Sequence, residues 1–174
     1  MDLRYPIAIL SAGLMAGAAY AQPAAKPSDP QIAHIAYTAG QIDVTAAEQA
    51  LAKSKTPKVR AFAEEMVRDH KAVNVQALAL VKKLGVTPQA NATSTALSDQ
   101  AKAKRAELAK LDGAAFDRAY VANEVAYHAT VNGALSGTLI PGARNAELKD
   151  LLGTGLKLFQ EHQRHAEHLA AELR

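Results

Sequence analysis

Apolar residues in this sequence recur at three- and four-residue intervals in four long stretches, and nowhere in sustained alternation. A period near 3.6 is the signature of helices packed on one face, and a period of two is that of strands. The spacing therefore predicts an all-α chain without strands. Composition agrees: 39 of the 174 residues are alanine, the strongest helix former. There is no cysteine, which excludes a disulfide-stapled scaffold and any thiolate nucleophile or ligand.

Start and stop signals divide the chain. Asp29-Pro30 offers a capping side chain followed by proline in the first turn, so a first helix is expected from about Pro30 to Ser54. Thr56-Pro57 repeats the signal after a very short turn, which makes the second helix an antiparallel neighbour of the first. Gly85 and Pro88 stop it near Leu84. Gln89 to Thr95 is polar and small and reads as a loop, and a short charged helix follows from Leu97 to Leu111. A third long helix runs from Gly113 to Leu139 with Asp112 as its cap. Pro141-Gly142 reads as a turn, and Asn145 caps a last helix that continues to the C terminus. The expected fold is an up-down four-helix bundle with one short extra helix between its second and third long helices, forming a single domain over residues 30–174.

The first 21 residues stand apart. Arg4 is followed by an uncharged run from Ile7 to Ala19, and Ala19-Tyr20-Ala21 has the form of a cleavage site. This is the pattern of a secretory signal peptide, and the run is short for a membrane span of about 20 residues. The expectation is a periplasmic or secreted protein cleaved near Ala21, with residues 22–29 as a flexible leader and no transmembrane segment in the mature chain. The net charge is +3. Lys102, Lys104, Arg105 and Lys110 form a modest basic group interleaved with Ala and Glu107. That density reads as a solvated helix face rather than a nucleic-acid surface, although a weak association with acidic envelope surfaces is compatible with it.

Placing residues at about 100° steps around each helix sets a few ionisable side chains inside the apolar stripes. Asp43 falls among Ile35, Ala39, Ala46 and Ala50 in the first helix, and His70 among Phe62, Met66, Val73 and Ala77 in the second, with Asp69 at the stripe's edge. Glu124 lies among Phe116, Tyr120, Tyr127 and Val131, with His128 at the border, and His162 lies among Phe159, Ala166 and Leu169. Counting rise from the turns pairs Asp43 with His70, and Glu124 with His162, to within a few ångströms, about 5 Å at most for the second pair.

Buried carboxylates and imidazoles need partners. Two arrangements supply them: a transition-metal site holding Fe, Mn, Zn or Cu through Asp43, His70, Glu124, His128 and His162, or a polar network that fixes helix register. Di-iron bundles use Glu-x-x-His on two helices, a spacing this chain lacks, since Glu124 and His128 are four apart. His165 and His168 read as surface residues near a helix C terminus. No Gly-rich phosphate loop, G-x-S-x-G elbow or H-E-x-x-H pair is present. A binding or structural protein is therefore favoured over an enzyme, and a metal-dependent oxidoreductase ranks third.

Asp43-Val44, the run Val59-Arg60-Ala61-Phe62-Ala63-Glu64-Glu65-Met66-Val67-Arg68-Asp69-His70, the segment Gly113 to Tyr120 with His128 eight residues on, and His162 together resemble the exported bacterial family of unknown function DUF4142. The resemblance spans nearly all the mature chain and is carried chiefly by Phe-Ala-x-x-Met-x-x-Asp-His. It implies a ferritin-like four-helix bundle in the periplasm or outer membrane and no established activity. Asp43 stands where the family usually has Glu, a longer side chain.

Overall fold

The computed structural model describes residues 26–173; the signal peptide and the first part of the leader expected from sequence lie outside them. All regular structure among the described residues is helical: α1 (Asp29–Lys53), α2 (Pro57–Lys83), α3 (Ala92–Ala109), α4 (Gly113–Ala134), a π-helical turn (Leu135–Leu139), the three-residue α5 (Ile140–Gly142) and α6 (Ala146–Glu172). The four long helices pack in a ring, α1 against α2, α2 against α6, α6 against α4 and α4 against α1, while α3 lies mainly along α1.

Local chemistry explains most boundaries. Pro30 and Pro57 sit in the first turns of α1 and α2, where the missing N–H costs nothing. Asn145 accepts from the Leu148 N–H at 3.0 Å, capping α6 as its sequence suggests. Three expectations are corrected. Ser28, not Asp29, caps α1, its N–H donating to Gln31 Oε1 at 3.0 Å. The Asp29 carboxylate instead accepts from the N–H groups of Arg144 and Asn145, both at 2.8 Å, and ties the start of α1 to the start of α6. α3 begins at Ala92, inside the expected loop, because Asn91 and Ser94 form a reciprocal capping box. The Pro141-Gly142 turn remains helical, the chain leaving helix only at Ala143, whose backbone is extended.

Two apolar clusters lie inside the ring. One gathers Ala47, Phe62, Met66, Phe116, Tyr120 and Leu169; the other gathers Ile32, Ile35, Leu135, Leu139, Leu152 and Phe159. On every long helix an inward ionisable residue falls between the two clusters: Asp43 on α1, His70 on α2, Glu124 and His128 on α4, and His162 on α6; Asp117 on α4 is also buried, beside the first cluster, where it accepts from the Thr56 hydroxyl. The core is thus two greasy layers with one polar layer between them.

Candidate metal centre

The polar layer is buried. Asp43, His70, Glu124, His128 and His162 are each no more than 2% exposed. Two overlapping triads are present: His70, His128 and His162 each offer a ligand atom within 4.8 Å of the others', and so do Asp43, Glu124 and His128. Asp43 Oδ2 stands 3.4 Å from His70 Nε2 and 3.4 Å from His128 Nε2. The rings of His70, His128 and His162 have centroids 5.3–5.7 Å apart. Phe159 stacks on His70 at 4.5 Å and 8° and closes one side of the layer.

Two of the three imidazoles have one nitrogen already engaged. His128 Nδ1 lies 3.0 Å from the carbonyl oxygen of Glu124, one turn earlier in α4. A carbonyl only accepts, so Nδ1 carries the proton and Nε2 is left with a lone pair. His162 Nε2 donates to Asp69 Oδ2 at 3.1 Å, which leaves Nδ1 as the lone-pair nitrogen. Asp69 is itself gripped by the Arg68 guanidinium at 2.7 and 3.0 Å. His70 has no hydrogen-bond partner on either nitrogen. Seven atoms of this layer are left over: Asp43 Oδ1 and Oδ2, His70 Nδ1 and Nε2, Glu124 Oε2, His128 Nε2 and His162 Nδ1 all lack a hydrogen-bond partner.

Burial governs the charges. Desolvation lowers the pKa of His70 well below the usual imidazole value, His128 and His162 assisting, and takes His128 to about 4. His162 is also lowered by burial, with Asp69 pulling the other way. All three rings are thus neutral at pH 7, the form that ligates metals. Burial raises Asp43 to about 8 and Glu124 well above the carboxylate range, Asp43 adding to the push on Glu124. The 3.4 Å approaches of Asp43 to two histidines are therefore not ion pairs, since neither partner carries its charge. At Asp69 burial pushes upward, but the bonds from Arg68 and His162 outweigh it and hold the carboxyl below its ordinary value.

The five residues marked from sequence all lie in this layer, but the pairing differs from the height estimate. Glu124 groups with Asp43 and His128, and His162 groups with His70 and His128. His128, placed at the border from sequence, belongs to both triads. The rise count measured height along each helix and carried no information on how α4 rotates against α1. The hold of Asp69 on His162 is not among the expectations from sequence. The signal was available, because Asp69 sits at the edge of the α2 stripe, within reach of the neighbouring helix. Nor is Tyr120, whose buried hydroxyl lacks a partner, marked from sequence as a site residue. His165 bonds Glu65 at 2.7 Å and His168 pairs with Glu172, both at the surface.

Fold and site together define an all-helical protein whose core is interrupted by one layer of histidines and carboxylates. Residues 14–169 match the family described as Domain of unknown function (DUF4142), and the chain belongs to that family. No curated protein matches it. Among solved structures, it is similar to a DUF305 protein of Streptomyces coelicolor, described as secreted, with a TM-score of 0.70 at 13% identity over 82% of this chain and 91% of that one. At that identity the likeness shows a shared helical fold. No described helix is long and apolar enough to cross a membrane.

Proposed function

We propose that this protein is exported, with cleavage of its signal peptide near Ala21, and that it holds a transition-metal ion inside a ferritin-like, up-down four-helix bundle. One observation carries the reading. Seven buried nitrogen and oxygen atoms on four helices are without hydrogen-bond partners and converge on one layer. Each such atom costs roughly 1–3 kcal/mol when left unpaired, so the layer is expensive unless something satisfies several at once. A polar network that merely fixed register would pair these groups with each other.

The spacing suits an ion. Donors about 2.1 Å from a tetrahedral centre stand about 3.4 Å from one another. Asp43 Oδ2 stands at that distance from His70 Nε2 and from His128 Nε2. His162, which shares a triad with His70 and His128, would supply a further donor, and Glu124 shares the second triad with Asp43 and His128. Three imidazoles with one carboxylate suit Zn, Fe, Mn or Cu. The Asp69 and Glu124 carbonyl bonds that orient His162 and His128 are the outer support such ligands ordinarily have. Export is supported by the Ala19-Tyr20-Ala21 pattern and by the secreted description of the Streptomyces protein.

Metal analysis of protein purified without a His tag tests the reading. Wild type should carry, or take up, about one ion per chain and gain several degrees in Tm, while His70→Ala should lose both. If wild type carries no stoichiometric ion and added Zn, Cu, Fe or Mn leaves its Tm unchanged, the reading fails.

A further inference from the structure

The second apolar cluster does not fill its half of the molecule. A cavity of about 680 Å³ runs between the helices there, within the 300–1,000 Å³ range of small-molecule sites. Its walls are Ala36, Ala77, Leu139 and Leu152, and its inner end is Gly40 and the Phe159 ring. The other face of that ring stacks on His70. The space exists because small residues stand where a packed core would carry leucine or phenylalanine. The C-terminal half of α2 also turns Val75 and Leu78 outward rather than closing the gap. Gln31 and Gly40 both line it, so it extends about 14 Å along α1 at about 1.5 Å per residue.

The lining is polarised. Its walls are mainly apolar, with Thr130 and Thr138 among them, and at the inner end the one amide, Asn74 beside Gly40, already donates to Gln41, whereas Lys26, Gln31 and Asn91 gather at the outer end, where the start of α1 meets the start of α3. A long, mainly apolar lumen whose cation stands at the outer end is complementary to an amphiphile with an anionic head. A polar metabolite would leave its hydrogen bonds unmade along the walls, and a cationic head would meet Lys26.

We propose that this cavity binds one amphiphile, an alkyl chain bearing a carboxylate or similar anionic head, with its tail against Phe159 and its head at Lys26. The site does not depend on an ion in the neighbouring polar layer.

Dodecanoate titrated calorimetrically into the purified protein should bind saturably at one molecule per chain. Dodecyltrimethylammonium should bind at least tenfold more weakly. Lys26→Glu should weaken dodecanoate at least fivefold and leave dodecanol unchanged. Ala36→Leu combined with Ala77→Leu fills the lumen and should abolish binding of all three. A reporter independent of that double variant is Leu97→Trp, which places on the cavity wall the only tryptophan in the chain; dodecanoate should change its emission with the same affinity. Absence of saturation by dodecanoate, in calorimetry and in the tryptophan signal, overturns the site. Wild-type affinity in a folded double variant overturns its location, and equal binding of the anionic and cationic amphiphiles overturns the assignment of its head.

Discussion

His162 and His128 are held by groups that touch neither each other nor the proposed ion. The Asp69 carboxylate fixes His162 through Nε2, and a carbonyl of its own helix fixes His128 through Nδ1. This orients the two lone pairs before any ion arrives. Removing such a support typically costs 10–100-fold in metal affinity. Asp69→Ala should therefore weaken binding by that factor, read by competition with a chelator of known affinity, while leaving the helical content intact. Asp69→Asn keeps an acceptor and should fall between wild type and Asp69→Ala. Unchanged affinity in Asp69→Ala would mean that His162 is not a ligand. His70 has no hydrogen-bonded support of this kind and stacks on the Phe159 ring, so truncating Phe159 to Leu should loosen the site less than losing Asp69.

At the scale of the helices, close approach of α1 to α2 sets the spacing of Asp43 and His70, and Gly40 permits it. A Cβ at position 40 would lie 2.3 Å from Asn74 Oδ1, the amide that donates to Gln41 through its nitrogen at 2.9 Å. Gly40→Ala must therefore move Asn74 or part the helices, at a cost of about 1–3 kcal/mol. Gly133 is the internal control: it is also helical, and a Cβ there meets nothing within 4 Å. Gly133→Ala should gain up to about 1 kcal/mol through helix propensity. Chemical denaturation should give opposite signs for the two; equal shifts would contradict the packing described.

The helices and the inward set were legible because both follow from periodicity. Asp43, His70, Glu124 and His162 interrupt apolar stripes, and Pro57 and Asn145 mark helix starts by their own chemistry. What was not legible depends on contacts between distant parts of the chain. Asp29 reads as a cap, yet its carboxylate is taken by backbone more than a hundred residues away. His128 is a border residue on an isolated helix, and the rotation of α4 against α1 buries it. The cavity is invisible in sequence, since an alanine that lines a void looks the same as one that lets helices touch.

For the whole molecule, the polar layer ties stability to pH in a way that distinguishes the free protein from its metal complex. Asp43 titrates at about 8 in the folded chain against about 3.9 unfolded. Between those values the folded state binds a proton that the unfolded state does not, so stability falls as pH rises from about 4 to about 8. His128 moves the other way, at about 4 folded against about 6.5 unfolded. Its contribution is complete above pH 6.5 and is lost as pH falls toward 4. His70 and His162 follow His128 in direction, and Glu124 follows Asp43. Below pH 6.5 the two effects oppose each other; above it only the carboxylates act. The metal-free protein should therefore be most stable near pH 6.5 and lose up to about 1.4 kcal/mol per pH unit toward pH 8 for each carboxyl that remains protonated. A bound cation would draw the same carboxylates into their ionised form. Thermal melts in chelator should show the alkaline decline, and melts with the ion should lose it. Binding at pH 7 should release at least one proton, measured as a heat that varies with the ionisation enthalpy of the buffer. A buffer-independent heat would mean that Asp43 and Glu124 do not meet the ion, confining it to the three histidines.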